Sequence, residues 1–450
     1  MSENRKTNPF APFLSALGRA LGMPALALLT AFIIGAIVIL LTSGDLLAAP
    51  TAYWGLIRGA LFKQRGLSES LVASIPYVLL SLGLSVGFKS GLFNIGVEGQ
   101  FYIGALCAAW AGQITTGLPA IIHLPLALLA GAIGGAIWAG VPGYLKMRTG
   151  AHEVISTMMM NYVAFRLTEY VITDKLRDVN STTIQTPSVS PAAELWTFAA
   201  IPQRLQDPLN ALGVALVLAL LTALVVRALA DRPDWKAKLG ARRGLAIGGS
   251  GLLAGLIAFV ALPLLTNAWW PFTDAYDRLH TGLIMAVLAA VGVWWLMEKT
   301  TPGFELRTVG ANPNAARYAG MNITRNVVLA MAISGGLAGL AGTIEVLGVS
   351  ICRCLPLFFS SGYGFDSIAI SLLARNDPFG ILAASFLFGA MRNGADLMEL
   401  SSGVSKYIIS LIQALALLFV AAPAIVRWMY RMKAPAGEEK QAPLTRGWGG

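Results

Sequence analysis

The sequence predicts an all-α polytopic membrane protein with about twelve spans, and three observations carry that prediction. Of its 450 residues 56% are hydrophobic and only 12% charged, with a mean hydropathy of +0.66; a soluble domain carries about 25% charged residues. Runs such as PALALLTAFIIGAIVILLT (24–42) and NALGVALVLALLTALVVRALA (210–230) reach the roughly 20 apolar residues that a bilayer crossing needs. Basic residues gather in alternate loops. That positive-inside pattern, rather than nucleic-acid binding, accounts for the net charge of +10.

The candidate spans lie, in order, near 24–42, 68–87, 91–113, 119–145, 152–172, 210–230, 244–268, 280–297, 326–348, 365–375, 378–395 and 404–426. The first is too long for the apolar region of a secretory signal and lacks a small-residue cleavage site, so it reads as an anchor. With the N-terminus in the cytoplasm, Arg5, Lys6, Arg19, Lys146, Arg148, the Arg227–Arg243 cluster, Lys299–Arg325 and Arg427–Lys433 all fall inside. The expected topology is N-in, C-in. Residues 1–23 and 427–450 are then cytoplasmic segments flanking one transmembrane domain, 24–426. The first 20 residues and the tail after 433 are polar and contain Pro and Gly, a composition that disfavours a packed core. Residues 173–209, with mixed charge and several prolines, form a long outer loop. The span at 365–375 is short enough to be a half-helix or a re-entrant turn.

Few residues suggest covalent chemistry. Cys352 and Cys354 lie in a predicted outer loop two positions apart, where a bridge is expected to be strained, and with Cys107 they give no disulfide framework. His152-Glu153 lacks the second histidine of a zinc protease motif; His123 and His280 sit near span ends. No nucleophile–base pair and no phosphate-binding loop is present, so an enzyme is disfavoured and no cofactor or metal is expected. Glycines at helical spacing, Gly131/Gly135 and Gly335/Gly339/Gly342, read as close helix packing in lipid.

The stretch GLFNIGVEGQF (91–101) stands out because it sets Asn94, Glu98 and Gln100 among three glycines in an apolar region. A carboxylate in a bilayer costs several kcal/mol unless it faces protein or water. If helical, Asn94, Glu98 and Tyr102 share one stripe, so the stretch is expected to open a helix beside a central pathway, or to bridge two helices. Glu153, Asn161, Glu345 and Asp366 are further polar groups within or at the ends of spans, and Arg166 and Glu169 are spaced to neutralise one another. On the cytoplasmic side, TTPGFELRTVGANPNAARYAGMNITRN (300–326) contains Asn312 as a helix cap, Pro313 at the first position and Gly320 at the end. A short capped helix over 313–319, small at Ala315 and Ala316, reads as a docking knob.

These stretches, with HEVISTMMMNYVA, ISGGLAGLAGTIEVLG and SGYGFDSIAISLLARNDPFGILAASFLFGAM in order, closely resemble the permease subunits of ABC importers for nucleosides and simple sugars, in the branched-chain amino acid/ribose permease superfamily. The resemblance covers roughly 68–205 and 278–426. It implies a core of about ten spans built as two inverted repeats. It also implies a second, identical or homologous permease, cytoplasmic ABC ATPase subunits, an extracytoplasmic binding (lipo)protein, and residence in a prokaryotic plasma membrane. On the matching motifs it places Phe93, Asn94, Glu98, Gln100, Asn161, Glu345, Phe365 and Asp366 along the substrate pathway. Glu305, Arg307, Gly310, Asn312, Ala315, Ala316 and Gly320 fall in the contact with the ATPase. The chain departs from the family at 207–278, an expected inserted hairpin of two helices, at His152, and at Ala374-Arg375. The alternative is an ion-coupled secondary transporter, although Asp231-Arg232 and Gly240–Arg243 are too far apart for the loop motif of the major facilitator superfamily.

Overall fold

The structure is a computed structural model and describes residues 11–114, 117–230 and 243–431. Residues 1–10, most of the basic loop over 227–243 and the tail from 432 lie outside the described residues. Helices dominate the described chain; its only β pairing is two isolated bridges, Gln185 with Pro356 and Thr197 with His280.

The helices run α1 (Ala11–Ser43), α2 (Ala48–Ile57), α3 (Gly66–Lys89), α4 (Val97–Ile114), α5 (Ala120–Thr149), α6 (Glu153–Tyr170), α7 (Ile201–Arg204), α8 (Pro208–Ala230) and α9 (Arg243–Ala268). Then follow α10 (Gly282–Lys299), α11 (Thr301–Ala311), α12 (Pro313–Tyr318), α13 (Ile323–Ile344), α14 (Tyr363–Leu373), α15 (Pro378–Ser402), α16 (Tyr407–Ala421) and α17 (Pro423–Met429). Among the described residues, seven helices are long and apolar enough to cross a membrane. At about 1.5 Å per residue, the 11 residues of α14 fall short of the roughly 30 Å hydrocarbon layer.

The chain forms two compact units, residues 1–56 with 395–450, and residues 57–394. In the first, α1 packs on α16, with Gly35 against Ile412, and the Tyr53 hydroxyl donates to the Phe32 carbonyl at 2.5 Å. Residues 11–20, expected to lack structure, are the first turns of α1; Leu14, Leu17 and Leu21 recur there at helical spacing.

The second unit is built around α3, whose Leu79, Leu80, Leu82 and Leu84 are all buried. A helix that is apolar on every side finds its stable place among other helices. Around it α4, α5 and α13 approach backbone to backbone. A Cβ added to Gly135 would lie 2.7 Å from the Cα of Gly339, and one on Gly342 would lie 2.7 Å from the Ala105 nitrogen. The glycine stripes therefore pack helices, as the spacing suggests. Helices α8 and α9 pair with each other through Gly251 and Gly255 against Ala215 and Ala219, and α8 touches α5 where Gly213 meets Ile121.

Two expectations are corrected. Residues 91–96 are not helical, and α4 starts at Val97, so Asn94 is not on a helical stripe with Glu98. Gly91, at φ +71°, adopts the left-handed conformation that breaks the helix and that glycine tolerates. Second, Cys352 and Cys354 form a disulfide. Arg353 between them has φ +49°, and this turn brings the two Cα atoms to 5.1 Å, within the usual range of about 4.4–6.8 Å. The bridged turn is held by residues 184–189: Val189 N donates to the Arg353 carbonyl at 2.8 Å and Thr186 N to that of Leu355 at 3.0 Å.

Candidate functional site

The break before α4 is built from amides. Asn94 donates to the Gln100 side-chain oxygen at 2.9 Å and to Ser334 Oγ at 3.0 Å, and accepts from the Gly96 nitrogen at 3.1 Å. Asn161 on α6 accepts from the Gly99 nitrogen at 2.8 Å and donates to the Ile95 carbonyl at 3.0 Å. These contacts satisfy backbone groups that the interrupted helix leaves open, which is obligatory at membrane depth. Replacing Asn161 by leucine should strand two such groups, each worth about 1–3 kcal/mol. The expected outcome is a clearly lower thermal unfolding midpoint in detergent.

Glu98, in the first turn of α4, reaches across to the start of α14 and accepts from the Gly364 nitrogen and from Ser360 Oγ. The first N–H groups of a helix lack intrahelical acceptors and favour a negative charge, so the carboxylate and the helix start satisfy each other. Gly364 is required for this approach, since a Cβ there would lie 2.7 Å from the Glu98 Cα. The buried carboxylate in GLFNIGVEGQF thus ties α4 to a helix start more than 260 residues away in sequence.

Beside Glu98 lies a cavity of about 420 Å³, within the span of small-ligand sites, roughly 300–1,000 Å³. Its walls are Tyr102 of α4, Tyr162, Phe165, Arg166, Thr168 and Glu169 of α6, and Phe358, Ser360 and Phe365 at the entry to α14. Tyr102 and Phe165 meet edge to face with ring centroids 4.7 Å apart. Arg166 donates to Glu169 at 2.6 Å, so this cation is already engaged. Thr168 Oγ1 is buried with no hydrogen-bond partner among the described residues. The site therefore offers flat aromatic faces, the Glu98 carboxylate and a Glu169 carboxylate already paired with Arg166, but no unpaired positive charge.

Of the residues expected on a substrate pathway, Glu98 and Phe365 line this cavity. Asn94, Gln100 and Asn161 brace the helix break, and Phe93 packs on Phe88 at 5.2 Å. Asp366 accepts from the Tyr77 hydroxyl at 3.0 Å. Glu345 lies in a π turn after α13, buried, with Oε2 unpartnered among the described residues. Glu153 instead pairs with Lys146 at 2.9 Å. Sequence reasoning missed Tyr162, Phe165, Thr168, Phe358 and Ser360. Tyr162, Phe165 and Glu169 recur at i, i+3 and i+7, and that one-face spacing was the available signal.

The loop after α10 forms the capped short helix the sequence suggested and, before it, a second capped helix that it did not. Thr300 caps α11, and Asn312 accepts from the Ala315 nitrogen at 3.0 Å to open α12. Glu305 accepts from Asn326 at 3.0 Å and Arg307 donates to Glu298 at 2.8 Å, so both anchor the loop within the chain. Ala316 is fully buried rather than presented outward, because the short helix turns that face to its own chain. The exposed face is Asn314, Ala315 and Tyr318, the last 95% exposed. Gly320 ends the helix at φ +79°. Gly310 lies against the backbone of Ser90 and Gly91, so the loop touches the turn that leads into α4.

The family model described as "Branched-chain amino acid transport system / permease component" matches residues 66–234 and 253–422. The guanosine ABC transporter permease protein NupP of Bacillus subtilis is 33% identical over 407 residues, 90% of this chain and 94% of that protein. The glucose ABC transporter permease protein TsgB13 of Haloferax volcanii is 30% identical, over 89% of this chain and 87% of its own length. The nucleoside ABC transporter permease protein NupB of Lactococcus lactis is 28% identical, covering 94% and 97%. No solved structure matches the chain.

Proposed function

Because the chain belongs to the branched-chain amino acid transport system permease family, it is a multi-pass membrane permease subunit of an ATP-driven importer rather than an enzyme, and we propose that the cavity beside Glu98 is where it receives a nucleoside. Membership sets aside the secondary-transporter alternative and brings with it an ATPase and a substrate-binding protein as partners. The observation that carries the substrate reading is the cavity's composition. Aromatic faces at Tyr102, Tyr162, Phe165, Phe358 and Phe365 suit a stacked base, while the Glu98 carboxylate suits sugar hydroxyls. A phosphate would meet Glu98 and Glu169, with Arg166 already engaged, so nucleotides are disfavoured.

Further features support a second permease subunit on the α6 face. Arg166, although it lines the cavity, has 82% of its side chain exposed, and the same helix also exposes Met159 and Val163. A charge facing lipid is costly, so protein or a water-filled path is the expected neighbour. We place both termini and the α11–α12 loop in the cytoplasm on the basic-residue pattern, with Ala315 and Tyr318 meeting the ATPase. Residues 207–278 are assigned to a peripheral hairpin, in keeping with the mutual packing of α8 and α9.

The test is uptake of a labelled purine nucleoside by liposomes holding this chain with its ATPase, second permease and binding protein. Uptake should require ATP and be competed by unlabelled nucleoside, weakly by free ribose, and not by the nucleoside monophosphate. Equal competition by ribose or by the monophosphate would overturn the nucleoside reading.

A further inference from the structure

Behind the Glu98 wall, α3, α4, the π turn after α13, α14 and α15 gather three carboxylates around one arginine, with no direct ion pair to it among the described residues. Arg392 of α15 stacks over the Tyr363 ring, its guanidinium carbon 4.0 Å from the centroid, and donates to the Tyr77 hydroxyl at 3.1 Å. That hydroxyl donates in turn to Asp366 at 3.0 Å. Tyr77 and Tyr363 are themselves in ring contact at 4.6 Å. Glu98, Glu345 and Asp366 all lie within electrostatic reach of the same guanidinium. The next cation, Arg278, is engaged by Glu69 and donates to the Val349 carbonyl at 3.2 Å. Glu98 and Glu345 are 2% and 9% exposed, and Glu345 Oε2 has no hydrogen-bond partner among the described residues.

Buried charges persist only where an opposite charge or a full set of hydrogen bonds offsets their desolvation. Three acids on one base leave this cluster dependent on Arg392. Of the two direct partners of Arg392, Tyr363 is the first residue of α14, and Tyr77 of α3 donates to Asp366 in the first turn of that helix; Glu98 holds the Gly364 nitrogen of the same helix start. The start of α14 is the side of the cavity formed by Ser360, Gly362 and Phe365.

We propose that Arg392 is a positioning residue for transport: through Tyr363, Tyr77 and the three carboxylates it holds the start of α14, and with it Glu98 and Ser360, in the arrangement that accepts substrate. It does not touch the substrate. The inference rests on the reading that Glu98 lines the substrate site.

The experiment compares nucleoside uptake by complexes carrying Arg392→Met, Arg392→Lys and Arg392→Met/Glu345→Gln, with Glu98→Gln as the test of the underlying reading. Removing the cation that three buried acids share is expected to raise KM about tenfold or more, with a smaller change in maximal rate. Arg392→Lys keeps the charge but not the planar stack on Tyr363 or its fork of donors, and should fall between. The double variant removes one acid together with the base and should recover much of the affinity. If Arg392→Met misfolds, as judged by size-exclusion in detergent, the double variant should recover folding. A normal KM in a folded Arg392→Met, or no recovery of either property in the double variant, overturns the proposal. Should Glu98→Gln leave KM unchanged while the arginine variants raise it, the cavity reading fails instead.

Discussion

Replacing Gly310 with alanine is expected to reduce ATP-driven uptake to near background while the protein still reaches the membrane. A Cβ at this position would stand 2.5 Å from the Ser90 carbonyl carbon, 2.7 Å from the Gly91 nitrogen and 2.7 Å from the Lys89 oxygen. All three are backbone atoms, so no side chain can rotate away. Gly91 opposite is fixed at φ +71° and itself lies 2.9 Å (from a Cβ built there) from the Gly310 Cα. Forced overpacking of this kind costs about 1–3 kcal/mol, and here it would separate α11 from the turn that leads into α4. That contact is the physical link between the proposed ATPase-facing loop and the helix carrying Glu98. Coupling between distant sites needs a packed element that both sites bias. Substrate-stimulated ATP hydrolysis by the reconstituted complex is the readout, and Gly292→Ala, where a Cβ meets nothing within 4 Å, is the control expected to behave as wild type. Equal stimulation in both variants would show that the contact transmits nothing.

Replacing Glu98 with alanine is expected to have a comparable effect by a different route. The change removes the acceptor of both Ser360 Oγ and the Gly364 nitrogen, and it deletes the one carboxylate in the cavity not paired to a neighbouring cation. Leaving a buried donor unsatisfied costs about 1–3 kcal/mol, and losing a substrate contact adds to that. Uptake per folded complex should fall roughly 30-fold or more, a factor equal to about 2 kcal/mol. Glutamine keeps one acceptor and should be less severe. Wild-type uptake in a properly folded Glu98→Ala complex would remove Glu98 from the substrate path.

What the sequence made legible follows from how local each signal is. The cap of α12 depends on Asn312 and Pro313 acting on the next few backbone groups, so it could be read directly, whereas the equally local Thr300 cap of α11 was not read. The glycine stripes of α5 and α13 carried their helical spacing openly. Asn94 was misplaced on a helix because apolar spacing continues through a break that depends on one left-handed glycine. Glu98 was recognisable as a buried carboxylate, but its partners are Ser360 and Gly364, and no local pattern connects them. The wall of α6 was hidden for another reason: Tyr162 and Phe165 look like ordinary membrane-helix residues until Tyr102 and Phe358 are brought opposite. The Cys352–Cys354 bridge needed the positive φ of Arg353, which composition does not announce. Ala316 shows the limit of reading a short helix by residue size, since one helical turn decides whether a small residue meets a partner or its own chain.

The most direct measurement is photolabelling of the assembled transporter with an azido-purine nucleoside during ATP-driven uptake, followed by mapping of the labelled peptides. The account predicts label within 162–169 or 358–365, suppressed by excess unlabelled nucleoside and reduced in Glu98→Gln. Label confined to other segments, such as α8 and α9, and equally competed by nucleoside, would contradict the placement of the substrate site.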